Sequence, residues 1–162
     1  MRVGQGIDVH VFSDDPDRPL VLGGVIVPEG PGLAGHSDAD VLLHALTDAL
    51  LGAAALGDLG TVFGSDDPRY AQAPSSVFVG EALRRAGQAG WRLVNADCTI
   101  VAQRPRLAAH RVYIADGLHR VLGVTPGTVS VKSTSTDGLG MIGRGEGIAC
   151  LAVALLERVP AG

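Results

Sequence analysis

Short apolar runs interrupted by glycine limit this chain to a fold built from short strands and helices. Of its 162 residues, 46% are hydrophobic, 23 are glycine and only 4% are aromatic. The core must therefore consist mainly of closely packed Val, Leu, Ile and Ala. At this length we expect a single domain spanning residues 1–162. No apolar run reaches the roughly 18 residues that cross a bilayer, and no signal-peptide pattern is present, so we expect a cytoplasmic protein.

The charged residues and cysteines exclude several partners and cofactors. The chain carries 13 Lys and Arg against 17 Asp and Glu, a net charge of −4. Because the basic residues are scattered, neither nucleic acid nor a membrane surface is expected as a partner. Cys98 and Cys150 lie in apolar runs without a CxxC partner, which is typical of free core cysteines.

Apolar periodicity predicts that hairpins and helical crossovers are mixed along the chain. Predicted strands cover residues 2–12, 20–27, 91–103, 128–133 and 147–159, and predicted helices cover residues 39–56, 75–89 and 106–122. This order favours the α/β class, specifically an α+β sandwich whose mixed β-sheet carries its helices on one face.

Asp8 and His10 stand two apart on the first predicted strand and therefore point to the same face. A helix packed on that face would bring in His44 as a third ligand and leave one position of a tetrahedral metal open. Asp40 and Asp48 lie four residues to either side of His44, so either could orient its imidazole. The alternative is a chance DxH on an ordinary strand, with both carboxylates merely solvating the helix.

Two further groups of residues are suited to phosphate. His36 and Ser37 precede the first helix, where backbone N–H groups attract anions. A run of hydroxyls and glycines from Ser133 to Gly147 follows the predicted strand at 128–133, with Lys132 and Arg144 as charge partners. The alternatives are an ordinary Ser cap beside a surface His, and a turn rich in Ser, Thr and Gly.

Four ordered motifs resemble the cyclodiphosphate synthase family along nearly the whole chain. They are GxDVHxF from residue 6, HSDADVLLHALTDALLGAAALGDLG from residue 36, TIVAQRPRL from residue 99 and STSTDGLGMIGRGEGIAC from residue 133. The resemblance implies a homotrimer of α/β sandwiches with active sites between neighbouring subunits. It also implies a phosphorus–oxygen lyase of the non-mevalonate isoprenoid pathway, which converts 4-diphosphocytidyl-2-C-methyl-D-erythritol 2-phosphate to the 2,4-cyclodiphosphate and releases CMP.

The same resemblance implies roles for individual residues. Zn²⁺ is expected on Asp8, His10 and His44, with its open position facing the β-phosphate. His36 and Ser135 are expected to stabilise the transition state, and Asp137 to help hold Mg²⁺ or Mn²⁺ between the phosphates. The expected substrate-binding residues are Ser37, Asp58, Leu59, Gly60, Phe63, Ser65, Asp66, Asp67, Ala102, Arg106, Leu107, Ala108, Thr134, Thr136, Met141 and Arg144. Within this set, residues 58–60 and 63–67 would bind methylerythritol, and residues 102–108 with Thr134 of an adjacent subunit would bind cytidine.

The resemblance also implies a channel along the trimer axis, lined by Arg144 and Glu146, which could hold a prenyl diphosphate. The chain departs from the commoner family pattern at four positions. Ser135 stands for Thr, Asp137 for Glu, Met141 for Phe, and Ser65 where the loop after Phe63 usually carries a carboxylate. Asp66 is the second choice for that carboxylate.

Two other functions are compatible with the same residues. A zinc-dependent phosphohydrolase would activate a water and use a general base such as Asp58. A trimeric prenyl-phosphate binding protein would keep the metal as a structural element.

Overall fold

Six strands and five α-helices make up the part of the chain that the computed structural model describes, residues 1–64 and 67–159. The strands are β1 (Arg2–Val11), β2 (Pro19–Leu22), β3 (Val25–Pro31), β4 (Trp91–Ala102), β5 (Val129–Thr134) and β6 (Gly147–Arg158). The helices are α1 (Val41–Ala54), α2 (Leu59–Phe63), α3 (Ser76–Gln88), α4 (Arg111–Leu122) and α5 (Gly140–Gly143), with 3₁₀ turns at Pro68–Tyr70 and Leu107–His110.

Local backbone geometry accounts for the differences from the predicted elements. The strand predicted at 20–27 is a hairpin, because Gly23 and Gly24 both adopt positive φ and reverse the chain. Helix α1 begins two residues later than predicted, since Ala39 has φ of +56° and Asp40 caps the first turn. The helix predicted at 106–122 starts with the 3₁₀ turn at Leu107–His110. Helices α2 and α5 fall in segments that were expected to be loops.

The sheet is mixed and its helices lie on one face, as the sequence predicts. Its strand order is β1-β6-β4-β5, in which β4 and β5 are parallel and the other pairs antiparallel. Helix α1 packs across β1 and β6, α3 lies beside it over β4, and α4 covers β5. Cys98 and Cys150 are free and buried in this core, as expected. No helix among the described residues has the length and apolar character of a membrane span.

Helix α1 and strand β1 approach each other closely enough for their backbones to touch. A Cβ atom on Gly4 would lie 2.1 Å from the carbonyl oxygen of Ala49, and one on Gly6 would lie 1.9 Å from that of Ala45. Real Cβ atoms never come so near a backbone oxygen, so only glycine fits at these two positions. The close contact places the side chain of His44 beside the strand residues that follow Gly6.

The opposite face of the sheet has no helix on it within the described chain, although its side chains on β1 and β6 are mostly apolar. Val3, Ile7 and Val11 on β1 are 67%, 55% and 60% exposed, and Leu151 and Val153 on β6 are 36% and 41% exposed. Register pairing places Ile7 directly opposite Leu151. We call these five residues the open sheet face. A contiguous apolar surface of this kind marks an interaction site.

Replacing Asp40 with alanine should lower the free energy of unfolding by about 2 kcal/mol or more. The fully buried Asp40 carboxylate accepts the backbone N–H groups of Leu42 and Leu43 at 3.1 Å and of Gly24 at 2.7 Å. The substitution leaves these donors without a partner. Urea denaturation measures the effect, and Asp14→Ala, which alters an exposed carboxylate, should change stability by less than about 0.5 kcal/mol. Equal midpoints for the two variants would contradict this role of Asp40.

Candidate active site

Asp8, His10 and His44 converge on one point between β1 and α1. The Oδ2 atom of Asp8 lies 2.9 Å from Nε2 of His10 and 3.1 Å from Nδ1 of His44, and the two ring nitrogens are 3.2 Å apart. Ligands of a tetrahedral metal with bonds of about 2.0–2.1 Å stand roughly 3.3 Å from one another. The three donor atoms therefore have nearly the spacing that one metal ion requires.

The second ring nitrogen of His10 is held by the backbone. Its Nδ1 atom lies 2.7 Å from the carbonyl oxygen of Ala34. A carbonyl can only accept a hydrogen bond, so Nδ1 of His10 carries a proton; the charged ring also donates from Nε2 to Asp8, and the neutral ring leaves a lone pair on Nε2. This is the tautomer that binds a metal through Nε2.

The three groups also perturb one another electrostatically. Burial alone raises the pKa of Asp8, but its hydrogen bonds with His10 and His44 hold that pKa below the ordinary value. Burial alone lowers the pKa of His10, and the hydrogen bond and charge of Asp8 raise it above the ordinary value. The lowered pKa favours the ionised carboxylate of Asp8, and the raised pKa favours the protonated imidazole of His10, so the two groups stabilise each other's charged form.

The expectation that Asp40 or Asp48 orients His44 is wrong. Asp40 is occupied as the cap of α1, and Asp48 accepts the backbone N–H of Leu59 at 2.7 Å. The Nε2 atom of His44 instead lies 2.8 Å from Oγ of Ser75 and 3.2 Å from Oγ of Ser37. The spacing of four residues correctly placed the carboxylates near His44 but could not show that backbone donors compete for them.

A cavity of about 230 Å³ opens over the three ligands. Its lining comprises Asp8, His10, His36, Ser37, His44, Leu59, Phe63, Gly64, Tyr70 and Phe78. Phe63, Tyr70 and Phe78 pack edge to face with ring centroids 4.9–5.6 Å apart and form one apolar wall. Sequence reasoning missed Tyr70 and Phe78, which carry no motif and enter the site only through this packing.

His36 and the residues around α2 form the edge of this cavity. The exposed His36 places Nε2 3.1 Å from the backbone carbonyl oxygen of Asp67. Among the described residues, Asp58, Gly60 and Asp67 flank the cavity in sequence without lining it. The predicted substrate residues Ser65 and Asp66 lie outside the described residues.

A second cavity of about 310 Å³ lies where β4 and β5 end. It is lined by Ala102, Gln103, Pro105, Arg106, Leu107, Ala108, Ser133, Thr134 and Ser135. The structure thus brings together the predicted residues of the 102–108 segment with Thr134 and Ser135. Gln103 lies within the predicted 102–108 segment, and its Oε1 accepts the backbone N–H of Gly138 at 3.3 Å. The two cavities share no lining residue.

The loop after β5 folds on itself through its own hydroxyls. Ser135 donates to Oδ1 of Asp137 at 3.0 Å, and Thr136 donates to the carbonyl oxygen of Leu139 at 2.7 Å. Asp137 adopts a positive φ of 53° and is exposed. Its carboxylate therefore faces solvent beside Ser135, which lines the second cavity.

The two cations expected to pair with phosphate have carboxylate partners in the structure. Lys132 is paired with Asp97, and Nε of Arg144 lies 2.5 Å from Oε1 of Glu146. Met141, on the neighbouring helix α5, is 49% exposed. Both ion pairs are largely solvent-exposed, so a phosphate could compete for either cation at small cost.

The chain is similar to known proteins over nearly its whole length. It matches the model of the YgbB family over residues 1–157. It is 56% identical to the 2-C-methyl-D-erythritol 2,4-cyclodiphosphate synthase of Moorella thermoacetica, an alignment that covers 100% of this chain and 98% of that protein.

Solved structures agree with this match. The CDP complex of IspF from Plasmodium falciparum superimposes with a TM-score of 0.84 at 31% identity, covering 98% of this chain and 97% of the other. The bifunctional IspDF of Campylobacter jejuni gives a TM-score of 0.91 at 38% identity. That match covers 97% of this chain but 42% of the longer bifunctional chain.

Proposed function

The chain belongs to the YgbB family, and we propose that it converts 4-diphosphocytidyl-2-C-methyl-D-erythritol 2-phosphate to 2-C-methyl-D-erythritol 2,4-cyclodiphosphate with release of CMP. The proposal rests on the convergence of three metal-ligating atoms in one cavity. The chain that forms this cavity is similar to such synthases over its full length. In the reaction, a 2-phosphate oxygen bonds to the β-phosphorus. The bond from that phosphorus to the bridging oxygen breaks, and CMP leaves with the oxygen.

A zinc ion fits the donor set. One carboxylate oxygen and two imidazole nitrogens are the ligand types and the number that catalytic zinc sites use. Asp8, His10 and His44 would hold the ion, which would supply positive charge beside the reacting phosphates. For the second ion, Mg²⁺ or Mn²⁺, we propose Asp137, because its exposed carboxylate has spare acceptor capacity beyond Ser135.

The remaining work of the protein is positioning, because the nucleophile belongs to the substrate. The hydrogen bond from Nε2 to Asp67 fixes the ring of His36 at the cavity edge, where the imidazole in its charged form can donate from Nδ1 to phosphate oxygens. Ser135, in the second cavity, would donate its hydroxyl proton to the same phosphate oxygens. We assign methylerythritol to the apolar wall around Phe63 and cytidine to the second cavity, in keeping with the CDP complex of the Plasmodium relative.

We propose that the active protein is a homotrimer whose active sites lie between subunits. The ligand cluster and the second cavity share no lining residue, as expected if each active site combines the ligand cluster of one chain with the second cavity of its neighbour. The open sheet face supplies the apolar surface that such an assembly would bury. Arg144 would lie near the trimer axis, where a prenyl diphosphate could displace its partner Glu146.

The Ile7→Glu variant should be monomeric and inactive. It puts a charge at the centre of the open sheet face, where burial against other subunits would leave that charge without a partner. Val112→Glu is the matched control, because Val112 is 74% exposed on α4, which packs on the helical face of the sheet. Light scattering after gel filtration gives the mass. A trimeric Ile7→Glu protein would exclude the open sheet face as the subunit interface.

The product decides between the synthase and a phosphohydrolase. With the diphosphocytidyl substrate and Mg²⁺, we expect the products CMP and a cyclic diphosphate. ³¹P NMR identifies both products. A substrate that lacks the 2-phosphate provides the control, since it has no internal nucleophile and a synthase should leave it intact. Release of CMP from that control, or a linear phosphate product from the full substrate, would overturn the proposal.

The electrostatics of Asp58 also argue against a phosphohydrolase. The hydrogen bonds from Thr61 hold the pKa of Asp58 below its ordinary value, which disfavours Asp58 as a general base.

A further inference from the structure

A serine hydroxyl and a carboxylate lie behind His44, on the side of its ring away from the other ligands. Oγ of the fully buried Ser75 is 2.8 Å from Nε2 of His44. The same hydroxyl is hydrogen-bonded to Oδ1 of Asp38, and the backbone N–H of Ser75 donates to Oδ2 of Asp38 at 3.0 Å. Ser75 and Asp38 are therefore joined by two hydrogen bonds.

The direction of these hydrogen bonds follows from what each group can donate. An ionised carboxylate only accepts, so Ser75 must donate its single hydroxyl proton to Asp38. The hydroxyl oxygen is then an acceptor toward His44, and Nε2 of His44 must carry the ring proton. In the neutral ring Nδ1 is then left with a lone pair directed at Asp8 and His10, which is the form of His44 that a metal requires; only the charged ring donates from Nδ1 to Asp8.

Ser75 occupies a position where a serine normally has another use. It is the N-cap residue of α3, yet its backbone is helical and its side chain makes no capping hydrogen bond. The hydroxyl is used for His44 and Asp38 instead. Asp38 is itself fixed, because Oδ1 accepts the backbone N–H of Asp40 at 3.2 Å and its own N–H donates to the carbonyl oxygen of Ala73 at 3.1 Å.

Ser37 is a weaker partner of the same nitrogen. Its Oγ lies 3.2 Å from Nε2 of His44 and 3.4 Å from Oγ of Ser75, and it accepts the backbone N–H of Ala39 at 3.2 Å. These contacts are longer than the 2.8 Å contact of Ser75 with the same nitrogen. The shorter, carboxylate-backed contact of Ser75 is the one that defines the tautomer of His44.

We infer that Ser75, held by Asp38, is a positioning residue that fixes the tautomer and ring orientation of His44 for metal binding. This inference rests on the proposed metal site. Outer partners of this kind change metal affinity by about 10–100-fold when they are removed from a metal-ligating histidine.

Zinc affinity of purified variants, measured by competition with a chelating dye, tests the inference. Ser75→Ala should bind Zn²⁺ about 10–100-fold more weakly than the unsubstituted protein. The matched control is Ser76→Ala, which removes the neighbouring hydroxyl in the first turn of α3, and its zinc affinity should not change. Equal affinities for Ser75→Ala and Ser76→Ala would overturn the inference. Failure of the unsubstituted protein to bind zinc would overturn the metal proposal and the inference together.

A second measurement does not require the metal, and its first part requires no variant. In metal-free protein labelled with ¹⁵N at histidine, the ring nitrogens of neutral His44 should show the proton on Nε2. In Ser75→Ala the same signals should shift toward a mixture of the two tautomers. A proton found on Nδ1 of His44 in the unsubstituted protein would overturn the assignment, even if zinc binds.

Discussion

Replacing His44 with alanine should reduce turnover at least about a thousandfold and abolish tight zinc binding, while the proposed trimer persists. The substitution leaves two of the three converging donor atoms. The positive charge lost with the metal is worth several kcal/mol to a phosphoryl-transfer transition state, and each 1.4 kcal/mol is tenfold in rate. The aliphatic core of α1, including Leu42, Leu43 and Leu46, is untouched by the change and should hold the helix in place.

His110→Ala is the control for this experiment, since His110 lies at the end of the 3₁₀ turn before α4 and lines neither cavity. Metal content, product formation and mass are measured on both proteins. If the metal were structural, as in a prenyl-phosphate binding protein, His44→Ala would lose its thermal stability and its trimer along with the zinc. Full activity in His44→Ala would show that His44 is not a ligand.

The Gly6→Ala variant should lose about 3 kcal/mol or more of stability together with most of its zinc affinity. The added Cβ would lie 1.9 Å from the carbonyl oxygen of Ala45 and 2.8 Å from the backbone nitrogen of Ala49. Helix α1 must therefore move away from β1. His44 moves with the helix, whereas Asp8 and His10 stay on the strand, so the donor atoms separate.

A second glycine of the same region provides the control for Gly6→Ala. Gly52 lies in α1, is exposed, and would place a Cβ with nothing within 4 Å. Gly52→Ala should therefore raise stability by up to about 1 kcal/mol through helix propensity alone. Urea denaturation of the metal-free proteins and chelator competition measure both effects. A Gly6→Ala protein with unchanged midpoint and zinc affinity would show that the close contact does not set the ligand geometry.

The sequence predicted the parts of the site that follow from local periodicity. Alternation along the first strand placed Asp8 and His10 on one face, and helical spacing put His44 within an apolar helix that packs on that face. Both conclusions needed only the repeat of a strand and of a helix. The open sheet face was not predicted, although Val3, Ile7 and Val11 stand at odd-numbered positions of the same strand and therefore point away from Asp8 and His10.

The rest depended on contacts between distant segments. Ser75 contacts His44 although it lies 31 residues further along the sequence. The aromatic wall forms only because Phe78 on α3 packs against Phe63 and Tyr70. The positive φ of Ala39, which delays the start of α1, likewise has no local sequence signal. Such features are fixed by tertiary packing, which overrides local preference.

The pairing of β1 has a consequence for the order in which the site is assembled. This strand carries two of the three proposed metal ligands, and among the described strands it pairs only with β6, from Arg2 opposite Leu156 to Val11 opposite Gly147. Contacts between such distant segments form late, because a long loop must close first. During synthesis on the ribosome, Asp8 and His10 emerge before the residues of β6 with which their strand pairs. Metal capture is thus expected to be among the last events of folding.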